Sequence, residues 1–124
     1  MKKIIFIIAC FNFLFSQHHH HDHDHGHHHG SGSIVGTVIN ANTGEPIEYA
    51  SVSLVNQSSN EIELGQLTLL DGRFNLSNFH TGEYKVSIAF MGFETWESET
   101  LNITDHNIKK DLGTISLTIK SIQS

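Results

Sequence analysis

The chain has 124 residues, 38% of them hydrophobic, and a formal net charge of -6 with histidine neutral. That length suits one small domain, and the acidic balance argues against a phosphate-binding face for nucleic acid and against attraction to an anionic membrane surface. A single cysteine, Cys10, leaves no internal disulfide, so a folded domain must hold together by packing.

Residues 1–16 have the form of an export signal. Lys2 and Lys3 precede an apolar run, Ile4–Phe15, broken only by Asn12 and too short to span a bilayer, which needs about 20 residues. Ser16 suits cleavage ahead of Gln17. Acylation at Cys10, after Ile7-Ile8-Ala9, competes with that cut; the apolar run continues through Phe11, Phe13, Leu14 and Phe15, which favours the site after Ser16. Without Lys2 and Lys3, five basic residues face thirteen acidic ones, and the balance becomes more acidic still.

Residues 17–32 hold the most unusual composition. His18, His19, His20, His21, Asp22, His23, Asp24, His25, Gly26, His27, His28 and His29 contain nine histidines and no apolar side chain, and Gly30-Ser31-Gly32-Ser33 follows. A segment with nothing to bury is expected to stay disordered. Each neutral imidazole offers a nitrogen lone pair, and Asp22 and Asp24 add carboxylates, so the segment reads as a multi-site binder of Zn, Cu or Ni. An ordinary imidazole pKa of about 6.5 implies metal binding at neutral pH and release in mild acid. The Asp and Gly interruptions, directly behind an export signal, differ from an affinity tag. His80 and His106 stand alone in turn-like sequence and read as surface residues.

Residues 33–117 read as strands and turns without helical periodicity. Strands are expected over Ser33–Asn40, Ile47–Asn56, Ile62–Thr68, Arg73–Leu76, Tyr84–Phe90, Phe93–Leu101 and Ile108–Leu117, with a short tail over 118–124. Asp71-Gly72 is a hairpin signal, and Thr81-Gly82 and Met91-Gly92 mark further turns. Seven short strands at this spacing imply an all-β, antiparallel sandwich or barrel, and the Greek-key sandwich is the expectation taken forward. The expected core is Val38, Val52, Leu54, Leu67, Phe74, Leu76, Tyr84, Val86, Ile88, Phe90 and Ile115. No pair of titratable groups converges in the pattern; Asp71 reads as a turn residue and Glu94, Glu97 and Glu99 as a solvated face, so catalysis is not expected.

Gly36-Thr37-Val38, Thr43-Gly44-Glu45-Pro46-Ile47, Ala50-Ser51-Val52, Gly65 with Thr68, Asp71-Gly72-Arg73-Phe74, Gly82-Glu83-Tyr84 and Met91-Gly92-Phe93-Glu94 occur in that order. Together they resemble the carboxypeptidase-regulatory-like domain over residues 33–117. Leu69-Leu70 and Glu48-Tyr49 depart from the family's usual residues. The resemblance implies a transthyretin-like, seven-strand sandwich with an accessory and not a catalytic role. It also implies a setting: the N-terminal extension of TonB-dependent outer-membrane receptors in Bacteroidetes-type bacteria. The expected location is then the periplasm or outer membrane of a Gram-negative cell. The expected partners are a divalent transition metal, a receptor barrel in cis and periplasmic energy-transducing proteins. A free-standing secreted structural or adhesive module is the alternative.

Overall fold

The computed structural model describes residues 31–121. Eight strands follow one another: β1 (Gly32–Asn40), β2 (Ser51–Asn56), β3 (Ile62–Leu67), β4 (Arg73–Phe79), β5 (Gly82–Ala89), β6 (Trp96–Glu97), β7 (Leu101–Ile103) and β8 (Lys109–Leu117). They form two sheets, ordered β4-β1-β8 and β3-β2-β5-β6, with β7 also pairing β5. The all-β sandwich expected from the alternation is what forms.

The period of two explains the layers. Along β1 the buried positions are Gly32, Ile34, Gly36 and Val38, and along β5 they are Tyr84, Val86 and Ile88. Two such inner faces can only escape water against one another. Ile34, Val38, Phe74, Leu76, Ile115 and Leu117 from one sheet meet Val52, Leu54, Val86, Ile88, Leu101 and Ile103 from the other in one apolar cluster. Each fully buried aliphatic side chain stabilises the fold by about 1.5–3 kcal/mol.

Four expectations need correction. The last strand does not pair antiparallel: β8 runs parallel to β1, from Ser33 opposite Lys109 to Asn40 opposite Leu117. The register slips between Val35 and Thr37, where Gly113 takes a positive φ of 70°. The Asp71-Gly72 turn is not a hairpin either. β3 and β4 lie in different sheets, so the turn carries the chain across the sandwich. Gly72 is needed there because its φ is 82° and any Cβ would run into the Val38 carbonyl oxygen.

The expected strand over Phe93–Leu101 is split in two. Ser98 breaks it: its N–H donates to the Val86 carbonyl, while its hydroxyl accepts from the Val86 N–H, both at 2.9 Å. One side chain thus substitutes for a backbone group in the ladder, and β6 and β7 end up on either side of the interruption. Finally, two expected core residues lie elsewhere. Leu67 is 52% exposed because it sits opposite Ser51 on the outer face, and Phe90 is only partly buried at a strand end. Ile34, Ile47, Ala50, Phe79, Leu101, Ile103 and Leu117 are buried in addition to the expected set.

The parallel β1–β8 pairing gives the sandwich polarity. Gly32, the Phe79–Gly82 turn and the Thr104–Asn107 turn lie at one end. The other end holds the Leu69–Gly72 turn, the Phe90–Phe93 turn and the chain's continuation after Leu117. There the Glu94 N–H donates to the Thr118 carbonyl at 2.8 Å and the Lys120 N–H to the Gly92 carbonyl at 2.9 Å. Part of the expected 118–124 tail is therefore paired with the sandwich.

Candidate functional site

The eleven expected metal ligands, His18 to His29 with Asp22 and Asp24, lie outside the described residues. Among the described residues no group of three or more His, Cys, Asp or Glu side chains is gathered closely enough to hold a metal ion. His80 and His106 are exposed, as the turn sequence implies, and both occupy the end of the sandwich at which β1 begins.

The opposite end is built differently. Tyr49 adopts a φ of 69°, a conformation strained for a bulky side chain, and the residue is 65% exposed. Four hydrogen bonds hold it there. The Tyr49 N–H donates to the Thr68 carbonyl at 3.1 Å and the Thr68 N–H to the Ala50 carbonyl at 3.0 Å. The Ala50 N–H donates to the buried Thr68 hydroxyl at 2.9 Å, and that hydroxyl donates to the Ile47 carbonyl at 2.6 Å. Leu67, Leu69, Leu70 and Met91 surround this end, all exposed, Met91 by 86%. Several exposed apolar side chains at one end differ from the scattered single ones that any surface carries. The sequence signal for this patch was Leu69-Leu70 ahead of Asp71-Gly72, two large apolar residues where a turn wants polar ones.

Two surface carboxylates have structural roles. The Asp71 carboxylate accepts the Arg73 N–H at 3.1 Å, and that of Asp111 accepts the Gly113 N–H at 2.9 Å. Both line one open hollow with Arg73 and Gln66, and Asp71 and Arg73 face solvent, 3.9 Å apart. Exposed ions in such a geometry interact weakly. A second open hollow is lined by Trp96, Glu97, Glu99, Leu101, Lys110 and Leu112. Burial lifts the phenol of Tyr84 above its ordinary pKa, and the Glu63 charge adds to the rise. That hydroxyl donates to the His80 carbonyl at 2.9 Å, and its ring meets Phe79 edge-on at 5.1 Å, so Tyr84 secures the crossing between sheets.

The family model of the carboxypeptidase regulatory-like domain matches residues 33–118. No curated protein matches the chain. Among solved structures, the group B streptococcus pilus 2b backbone protein is similar at 18% identity and a TM-score of 0.52, over 71% of this chain and 41% of that one. The major pilin subunit of Bacillus cereus is similar at 14% identity and a TM-score of 0.55, over 73% of this chain and 31% of that one. The 5-hydroxyisourate hydrolase of Klebsiella pneumoniae is similar at 17% identity and a TM-score of 0.52, over 70% of this chain and 86% of that one. The chain thus spans less than half the length of the pilins it matches. At these identities the likeness is one of fold, a β-sandwich shared by structural proteins and an enzyme alike.

Proposed function

Because the chain belongs to the carboxypeptidase regulatory-like domain family, we propose that it is an exported, non-catalytic β-sandwich module whose histidine run gathers a divalent transition metal. In this reading it forms the N-terminal part of a TonB-dependent outer-membrane receptor, with the barrel in cis and energy-transducing proteins as partners. The carrying observation is the order of segments: an export-type leader, nine histidines within twelve residues, and then at once the family's sandwich. A non-catalytic role is supported by Asp71 and Asp111, whose carboxylates accept local backbone N–H groups, in a turn and at the β8 register slip respectively.

The run serves capture of Zn, Cu or Ni, which imidazole and carboxylate ligands suit. Deleting residues 18–29 in the source organism is expected to slow growth when metal is limiting. Unchanged growth and unchanged metal uptake in the deletion strain contradict a role in acquisition.

One observation favours a second reading, a secreted structural or adhesive module. The end bearing Tyr49, Leu69, Leu70 and Met91 offers apolar surface that suits contact with another protein. The reading frame after Ser124 separates the two readings: plug and barrel sequence supports the receptor, and a stop codon supports the module.

A further inference from the structure

One side of the sandwich stays open. β6 and β8 are edges of different sheets and do not pair with each other. Trp96 stands opposite Ile88 in the ladder and Lys110 opposite Ile34; both partners are fully buried, so both side chains belong to the inner face. Across the opening, Trp96, Leu112 and Lys110 line a hollow of about 550 Å³ together with Glu99, Asn102 and Asn107. Sites for small ligands hold roughly 300–1,000 Å³.

The lining is built and its polar groups are unspent. Trp96 is the one tryptophan of the chain, and it packs half-buried against the core, as Leu112 does. Lys110 is half-buried too, yet it makes no ion pair among the described residues, although a lysine drawn from water ordinarily finds a partner. The side chains of Glu99, Asn102 and Asn107 likewise make no hydrogen bond among the described residues; the bonds nearby use other atoms. The segment that carries Glu99 is pinned. The Ser98 hydroxyl donates to the Glu99 carbonyl at 2.8 Å, and the Gln57 side-chain amide donates to the Thr100 hydroxyl at 3.3 Å.

This lining discriminates between ligands. Glu97 is engaged by Lys85 at 3.8 Å, which leaves Glu99 and Lys110 to balance one another and favours an uncharged ligand. A wholly apolar ligand would cover four polar side chains without bonding them. An added peptide strand is opposed by the inward-facing Lys110 and by the irregularity of β8 at Gly113, both of which guard a sheet edge. A sugar ring meets every condition: its C–H face lies flat on an aromatic ring, and its hydroxyls both donate and accept around the rim.

From this lining we propose that the hollow binds a neutral saccharide, with one ring stacked on the Trp96 indole and its hydroxyls bonded to Glu99, Asn102, Asn107 and Lys110. The site is independent of the histidine run.

The test is titration of the exported chain with neutral gluco-, manno- and xylo-oligosaccharides, read by tryptophan fluorescence and by calorimetry. Selective excitation of the one tryptophan reports on this hollow alone. At least one of these sugars is expected to shift the emission saturably. In the double variant E99Q/N102A, both positions being exposed, its affinity is expected to fall roughly tenfold or more. Arg73→Ala, in the other hollow, is expected to bind as the wild type does. Melting temperatures of the variants check that the fold is intact. No emission change and no heat with any of these sugars overturns the site. Affinity unchanged in E99Q/N102A overturns it as well, and a response to acidic oligosaccharides alone overturns the neutral class.

Discussion

Thr68 and Ala50 are joined by two hydrogen bonds: the Ala50 N–H donates to the Thr68 hydroxyl at 2.9 Å, and the Thr68 N–H donates to the Ala50 carbonyl at 3.0 Å. The same hydroxyl donates to the Ile47 carbonyl at 2.6 Å. One buried side chain thereby fastens the loop that carries Tyr49 at positive φ to the end of β3. Thr68→Val keeps the shape but strands a buried N–H and a buried carbonyl. It is expected to cost about 1–3 kcal/mol in urea unfolding. Thr68→Ser, which retains the hydroxyl, is expected to cost less.

Tyr49 itself should respond in the opposite sense. The residue is exposed, so little packing is lost on removal of its ring, and glycine relieves the positive φ. Tyr49→Gly is expected to leave stability unchanged or to raise it by up to about 1 kcal/mol, as judged by the urea midpoint. A clear loss would show that the ring, and not the Thr68 clamp, holds the loop.

Core and strand-end positions separate by size of effect. Leu54 is fully buried, whereas Phe90 is only partly so, although both belong to alternating strand faces. Leu54→Ala is expected to cost about 2–5 kcal/mol. Phe90→Ala is expected to cost less than Leu54→Ala, despite removing the larger side chain. Denaturant unfolding of both variants checks the order.

Tyr84 sets an alkaline limit. Its phenol is raised above the ordinary value by burial and by the Glu63 charge. The folded chain therefore keeps a proton that the unfolded chain gives up near pH 10. Below that pH both states hold the proton and the stabilisation is fully present. It is lost as pH rises through the folded-state pKa. Tyr84→Phe is expected to flatten the fall in melting temperature above pH 10, while lowering stability at neutral pH through loss of the bond to the His80 carbonyl.

Much of this architecture was legible in the sequence because the inner faces repeat every two residues. Val52 with Leu54, and Tyr84 with Val86 and Ile88, needed only that period to be placed. Other features depend on partners far along the chain. Nothing local to Asp71-Gly72 distinguishes a hairpin from a crossing between sheets; the Val38 carbonyl packed against Gly72 decides it. The parallel pairing of β8 with β1 is likewise a long-range choice. Leu67 lies outside and Thr68 inside because the Thr68 hydroxyl serves the Ile47–Ala50 loop, and no hydropathy pattern records that need. For the site, composition singled out the histidine run. That His80 and His106 share the end of the sandwich at which β1 begins follows only from register.

The claim that the histidine run is the metal-binding element is tested most directly by equilibrium dialysis. Zinc bound per chain would be measured at neutral pH and in mild acid, for the exported chain and for one lacking residues 18–29. The account predicts zinc retained by the first at neutral pH, released as imidazoles protonate below about pH 6.5, and absent from the second. Equal zinc content in the two chains at neutral pH would contradict it.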